Sequence, residues 1–303
     1  MTNLKVNIAG VSFKNPVITA SGCFGFGREY ECMYPLEKLG GISLKGMTFQ
    51  EKLGNPPPRI AETPSGMLNS VGLQNPGVEH FLEYDMPYLA KQDTVKIANI
   101  AGSSIEDYCA IAERLSDSEI DMFEMNISCP NVKQGGAAFG TSCESAERVV
   151  KEVRKYAKKP MIVKLSPNVT DIVSIAKAVE AQGADAVSLI NTLLGMRIDI
   201  NTRRPILKNN VGGLSGPAIF PVAVRMVWQV ANAVKVPVIG MGGIEKWQDA
   251  IEMMMAGANA IQIGAAMFYN PMAPVQVIEG MRKWLEDNHI EDINEIVGSV
   301  RPW

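Results

Sequence analysis

Cys129 lies between two asparagines in Asn126-Ile-Ser-Cys-Pro-Asn131, and a thiol so placed can act as a nucleophile or as a general base. A nucleophile normally needs an activating histidine. The chain holds two, His80 and His289, and His289 falls in a polar tail that reads as the end of a surface helix. A base needs only reach and a pKa near the working pH. Cys23, Cys32, Cys109 and Cys143 have no such surroundings, and Cys109 sits on the core stripe of a helix. Five cysteines without a Cys-x-x-Cys predict neither a disulfide framework nor an iron–sulfur or zinc site. Two histidines leave little for a Ser-His-Asp triad or a His-rich zinc site, so no metal is expected.

Lysine and asparagine recur at one relative position elsewhere. Lys45, Asn99, Asn126, Lys164 and the pair Asn191-Thr192 each close a short apolar run. A lysine at the end of an apolar strand is costly unless paired, so their recurrence points to one polar rim. Two further runs end in Gly240-Met241-Gly242-Gly243 and Gly264-Ala265. Small residues there let backbone N–H groups approach an anion, which suits a phosphate. Residues 134–140 are small and glycine-rich, the composition of a mobile lid. The stretch from Asn69 to Gly77 is polar and glycine-bearing and reads as a loop.

The elements that must position these residues follow a repeating alternation. Apolar, β-rich runs occur at 16–20, 41–45, 95–99, 121–126, 160–165, 186–190, 236–240 and 260–264, several of them apolar on both faces. Helical periods lie between most of them: Ile105, Tyr108, Cys109, Ala112 and Leu115; Ala146, Val149, Val150 and Val153; Ile172, Ile175, Ala176 and Val179. Ser104 and Ser142 are candidate N-caps, with Asp107 and Ser145 three residues on. Gly183 and Gly257 each end a helix just before a strand. Pro160 and Pro237 open strands, where a missing N–H matters least. The opening residues alternate like a strand pair.

An open doubly wound sheet normally carries a glycine fingerprint after a strand, and neither that nor a P-loop is present. The count of eight predicts an α/β chain folded as a (β/α)8 barrel, one domain over 1–303, with an N-terminal β-hairpin. Long loops are expected at the C-terminal face after strands 2, 4 and 6. Two of these are the excursions 46–80 and 191–216. Composition agrees: 303 residues, 47% hydrophobic and 20% charged, exclude wholesale disorder. A net charge of −3 argues against nucleic acid as a partner. No run reaches the ~18–20 apolar residues of a membrane span, and no charged-then-apolar leader opens the chain. A cytoplasmic protein without a membrane anchor is expected.

The motifs Lys45-Gly46, Asn69-Ser-Val-Gly-Leu73, Asn126-Ile-Ser-Cys-Pro-Asn131, Lys164-Leu-Ser-Pro-Asn168 and Gly240-Met-Gly-Gly243, in this order over essentially the whole chain, resemble class 1 dihydroorotate dehydrogenases. The run Val132-Lys-Gln-Gly-Gly-Ala-Ala-Phe-Gly-Thr141 resembles the 1B branch. The membrane-bound class 2 enzymes differ in an N-terminal extension and a serine base. The resemblance implies a TIM barrel with one non-covalent FMN per chain that oxidises (S)-dihydroorotate to orotate in pyrimidine (UMP) synthesis.

By the same resemblance, Cys129 is the base that removes the C5 proton while hydride passes from C6 to flavin N5. Asn69, Asn126, Asn131, Asn191 and Thr192 hold the pyrimidine and its carboxylate, with Ser70, Val71, Gly72 and Leu73 around them. Lys45 sits between substrate and flavin, followed by Gly46. Ser21, Asn99, Asn126 and Ile190 hold the isoalloxazine. Lys164 lies by its N1/O2 edge, where a positive charge stabilises the reduced ring. Gly216, Gly242, Gly243, Gly264 and Ala265 hold ribityl and phosphate. The family usually has Gly-Thr where this chain has Gly264-Ala265, which removes a hydroxyl contact and leaves the backbone N–H groups.

In the 1B family an iron–sulfur FAD subunit passes electrons to NAD⁺, in a heterotetramer of two catalytic and two electron-transfer chains built on a catalytic homodimer. The lack of a dinucleotide fingerprint and of cluster cysteines fits that dependence, with FAD and [2Fe-2S] expected only in the partner. The alternatives are a fumarate-using class 1A-like enzyme, a barrel aldolase with Lys164 as Schiff-base lysine, and a flavin reductase acting on uracil in tRNA. The acidic balance and the lack of a basic, aromatic-rich tail oppose the last.

Overall fold

A computed structural model describes residues 2–128 and 139–303. Eight parallel strands form a closed barrel: β1 (Val17–Thr19), β2 (Gly41–Ser43), β3 (Val95–Ile100), β4 (Met122–Asn126), β5 (Met161–Lys164), β6 (Ala186–Leu189), β7 (Val238–Met241) and β8 (Ala260–Ile263). Each falls on one of the eight apolar runs of the sequence. Ring closure comes from β8 against β1, with Ile261 opposite Val17 and Ile263 opposite Thr19. Helices α1 (Ile105–Ser116), α2 (Cys143–Arg154), α3 (Ile172–Ala181), α4 (Phe220–Ala231), α5 (Trp247–Met255) and α6 (Ala273–Asp287) cover the outside. Their apolar stripes account for much of the core, from Tyr108 and Ile111 to Val149, Val179, Val227 and Met281.

Local chemistry sets the helix ends. Ser104 Oγ accepts from the Asp107 N–H at 3.1 Å, and Asp107 Oδ2 accepts from the Ser104 N–H at 3.2 Å, a capping box worth ~1 kcal/mol. Ser142 Oγ accepts from the Ser145 N–H at 3.2 Å. Gly183 and Gly257 have φ of 94° and 119°, the left-handed stop read from the sequence. His289, just past α6, takes φ 57°. The antiparallel hairpin Val6–Ile8 with Val11–Phe13 packs the buried Phe13 against the start of β2, near Gly41.

The two excursions are more ordered than loop composition suggests. Strands Gly66–Asn69 and Gly212–Ser215 pair antiparallel, Asn69 opposite Gly213, and are flanked by Ile60–Thr63 and Leu193–Gly195. Asn69 therefore ends a strand of a four-stranded sheet rather than lying in a loop. Short strands from distant parts of the chain carry no periodicity long enough to read singly.

The barrel interior is a packed core whose layers draw four side chains from alternate strands. One layer here is polar: Ser43, Glu124, Ser188 and Gln262, contributed by β2, β4, β6 and β8, all 0–1% exposed. No helix among the described residues is long and apolar enough to cross a membrane.

Candidate active site

Strand ends deliver the polar rim. Asn126 and Lys164 are the last residues of β4 and β5 and pair across the ladder. Asn99 is the penultimate residue of β3, Lys45 lies two residues beyond β2, and Asn191-Thr192 lie two and three residues beyond β6. All of them line one cleft of about 1270 Å³, counted to its open mouth. Ser21, Gly46, Ile190, Gly216, Gly242, Gly243, Gly264 and Ala265 line the same cleft, as do Asn69, Val71, Gly72 and Leu73 from the small sheet and its following turn.

One position expected from the sequence is placed elsewhere. Ser70 is fully buried behind the cleft wall, where its Oγ accepts from Asn55 Nδ2 at 3.1 Å. Cys129 and Asn131, with the glycine-rich run that follows, lie outside the described residues. The flanks of that run are anchored by one side chain. Tyr108 OH donates to the Asn126 carbonyl at 2.7 Å, and its ring meets Phe139 edge-on at 6.1 Å between centroids.

The rim asparagines are held in a chain of hydrogen bonds. Asn126 Oδ1 accepts from Ser128 Oγ at 2.9 Å, and Ser128 Oγ accepts from Asn191 Nδ2 at 2.8 Å. Asn191 Oδ1 accepts from the Thr192 N–H at 2.8 Å, and Asn168 Nδ2 donates to the Thr192 carbonyl at 3.0 Å. Asn75 ties down the Asn69–Gly77 stretch by donating to the Leu73 carbonyl and accepting from the Gly77 N–H, at 2.7 and 2.9 Å. Leu73 itself has φ 57°, a strained non-glycine conformation at the cleft wall.

Lys164 is 5% exposed and its Nζ donates to Ser21 Oγ at 3.3 Å. Below it lies Glu124, whose carboxylate accepts from Ser43 Oγ, Asn99 Nδ2, Ser188 Oγ and Gln262 Nε2 at 2.7–2.9 Å. Burial pushes the Glu124 carboxyl up. The Lys164 charge and the hydrogen bonds from Ser43, Gln262 and Asn99 outweigh that and hold it below the usual carboxylate range.

Sequence reasoning passed over Glu124, Gln262 and the apolar cleft residues Met67 and Met241. The first two carried a signal. A charge in Asp121-Met-Phe-Glu-Met-Asn126 and an amide in Ala260-Ile-Gln-Ile263 are as costly in apolar strands as the lysines that were noticed.

The glycines after β7 leave room for an anion to approach the backbone. Gly242 and Gly243 take φ of 124° and 75°, and a β-carbon on Gly243 would sit 2.7 Å from Phe220 Cβ. Only glycine brings the backbone there. Asn99 Oδ1 and Gln262 Oε1 are buried at the cleft without a hydrogen-bond partner among the described residues, two acceptors suited to a polar ring. Among the described residues no three His, Cys, Asp or Glu side chains gather as metal ligands.

The described cysteines differ in reactivity. Cys23 lines the cleft, and burial pushes its thiol up to about 11 against the opposing charges of Lys164 and Lys45. Cys32 is exposed. Alkylation with iodoacetamide at pH 8, followed by peptide mass mapping, is expected to label Cys32 well ahead of Cys23, whose labelling climbs as pH approaches 11. Equal labelling at pH 8 would contradict the buried thiol.

Residues 3–285 match the family model for dihydroorotate dehydrogenase. The chain is 59% identical over 298 residues to "Dihydroorotate dehydrogenase B (NAD(+)), catalytic subunit" of Alkaliphilus metalliredigens, covering 98% of this chain and 99% of that one. Proteins of the same name from Thermoanaerobacter pseudethanolicus and Bacteroides thetaiotaomicron are 55% and 54% identical, each covering 99% of both chains. With the closed barrel and the rim of lysines and asparagines at its strand ends, the chain belongs to the dihydroorotate dehydrogenase family.

Proposed function

We propose that the chain oxidises (S)-dihydroorotate to orotate in pyrimidine synthesis as an FMN-dependent dehydrogenase of the NAD⁺-linked B type. The observation that carries this reading is the convergence of Lys45, Asn69, Asn126, Lys164, Asn191 and Thr192 on one cleft at the C-terminal ends of the strands. FMN, when bound, supplies the two-electron acceptor for the C6 hydride. Cys129 takes the C5 proton, so that one proton and one hydride leave and the C5–C6 double bond forms. Asn126 and Asn191, locked through Ser128, and Thr192, locked through Asn168, offer amide and hydroxyl groups to the pyrimidine and its carboxylate. Lys45 stands between the substrate and flavin positions. Lys164 places a positive charge at the N1/O2 edge of the ring.

The relatives' shared name, "catalytic subunit", supports a separate electron-transfer chain. That partner carries FAD and an iron–sulfur cluster, in an assembly of two catalytic and two electron-transfer chains. The test is anaerobic mixing of the purified chain with dihydroorotate. The flavin is expected to bleach, denatured supernatant to contain one FMN per chain and no FAD, and the isolated chain to reduce dyes but not NAD⁺. No bleaching, or efficient NAD⁺ reduction by the chain alone, would overturn the reading.

A further inference from the structure

Glu124 is a charged side chain at the centre of a barrel, it is 0% exposed, and the proposed chemistry gives it no part. Its four donors divide evenly. Oε1 accepts from Ser188 Oγ at 2.9 Å and Gln262 Nε2 at 2.7 Å, and Oε2 accepts from Ser43 Oγ at 2.8 Å and Asn99 Nδ2 at 2.7 Å. Two of these donors, Asn99 and Gln262, also line the cleft, whereas Ser43 and Ser188 do not. The other ends of both amides, Asn99 Oδ1 and Gln262 Oε1, are buried without a hydrogen-bond partner among the described residues. Asn99 Oδ1 lies beside Gly46, another residue of the cleft lining, whose built β-carbon would be 2.9 Å from it.

We propose that Glu124 is a positioning residue that fixes the amides of Asn99 and Gln262 with both carbonyl oxygens toward the cleft, as acceptors for the imide N–H groups of the bound rings. The reason is chemical. An ionised carboxylate accepts and never donates, so each amide must turn its NH₂ to Glu124 and its oxygen away. The Lys164 charge and four hydrogen bonds keep the carboxylate ionised. Buried acceptors are normally satisfied, and a ring bearing N–H between two carbonyls supplies the missing donor. Both the flavin and the pyrimidine substrate contain such an imide. The inference rests on the flavin reading for its first source and on the substrate for its second.

Glutamine at position 124 makes the orientation fail in a specific way. Its NH₂ must replace one carboxylate oxygen. If it replaces Oε1, Gln262 has to flip to accept from it. If it replaces Oε2, Asn99 has to flip. Serine hydroxyls adapt by rotating, but an amide cannot adapt without presenting its NH₂ to the cleft. One acceptor for the ring becomes a donor in either case.

The test titrates the flavin-stripped full chain with FMN and 3-methyl-FMN, titrates the FMN-loaded chain with orotate, and records Tm for each variant. Glu124→Gln is expected to raise the FMN Kd at least tenfold and to narrow the wild-type preference for FMN over its 3-methyl analogue. A merely structural loss would weaken both flavins equally. Gln262→Leu is expected to raise the FMN Kd in the same way. Ser188→Ala also removes a donor to Glu124, but it does not line the cleft, so it is expected to lower Tm while leaving the FMN Kd within twofold. If Glu124→Gln does not fold, Gln262→Leu against Ser188→Ala decides. Weakening confined to orotate supports the proposal with the substrate imide as the partner. Unchanged Kd for both ligands in Gln262→Leu, or equal weakening by Ser188→Ala, overturns it. A wild-type chain that binds orotate but no FMN sinks the flavin reading, and the orotate arm still tests Glu124.

Discussion

Replacing Cys129 with alanine is expected to slow flavin reduction by dihydroorotate ~10²–10⁴-fold, or roughly 3–5 kcal/mol of barrier. FMN and orotate binding should persist, because the thiol is assigned no binding role. A free thiol has pKa ~8.5, so only a few per cent is thiolate at neutral pH. If the thiolate is the base, the wild-type reduction rate rises with pH toward a plateau set by that pKa. Cys129→Ser should keep a little activity, rising further at high pH, because a hydroxyl is a poorer base. Cys143, which opens α2 away from the cleft lining, serves as control, and Cys143→Ala should stay near wild type. Stopped-flow bleaching across pH separates these cases. A Cys129→Ala chain reduced at near-wild-type rate would falsify the assignment.

Lys164→Met is expected to lose FMN and stability together. The flavin loss follows from removing the positive charge at the cleft. The stability loss follows from Glu124, which is left as a buried carboxylate without its compensating charge. Lys164 acts on Glu124 through its charge without a direct ion pair and four hydrogen bonds still hold the carboxylate, so the loss is expected to fall short of the ~3–5 kcal/mol that breaking a buried pair typically costs. In the wild type the Glu124 carboxyl is held below its unfolded value, so its contribution is full above the carboxylate range and fades as pH falls through the folded pKa. In the variant burial is no longer opposed by Lys164, the carboxyl rises, and protonation relieves the penalty. The Tm gap between the two should therefore be widest at neutral pH and shrink as pH falls through the variant's raised carboxyl pKa toward the lower one of the wild type. Adding Glu124→Gln to Lys164→Met should restore Tm but not FMN. A single variant as stable as wild type that retains FMN would defeat both halves of the argument.

Strand-by-strand order was legible because each barrel strand is a short apolar run bounded by turn residues, and a fully buried parallel strand must read that way. Val163 and Lys164 illustrate the limit and the gain together. The run announces a strand, and its one charged end announces the rim. Helices α1 to α3 were legible from stripes such as Ile105, Tyr108 and Ala112. The small sheet over the cleft was not, because Asn69 meets Gly213 across a separation of 144 residues and nothing local encodes that pairing. Glu124 and Gln262 were missed for a different reason. The rule applied to strand ends also holds for strand interiors, where a single polar residue must belong to a network.

The ring of strands closes only when β8 reaches β1, with Ile261 opposite Val17 about 240 positions earlier. At ~5–20 residues per second of synthesis, the first strand waits on the ribosome for tens of seconds with one side unpaired. A growing chain that has passed Ser215 owns the sheet over the cleft, yet it still lacks the wall that Gly242, Gly243, Gln262 and Gly264 supply. No nascent length short of β8 presents the complete cleft wall. Until then one edge of β1 lacks its β8 neighbour, and an unpaired strand edge is a template for pairing with other chains.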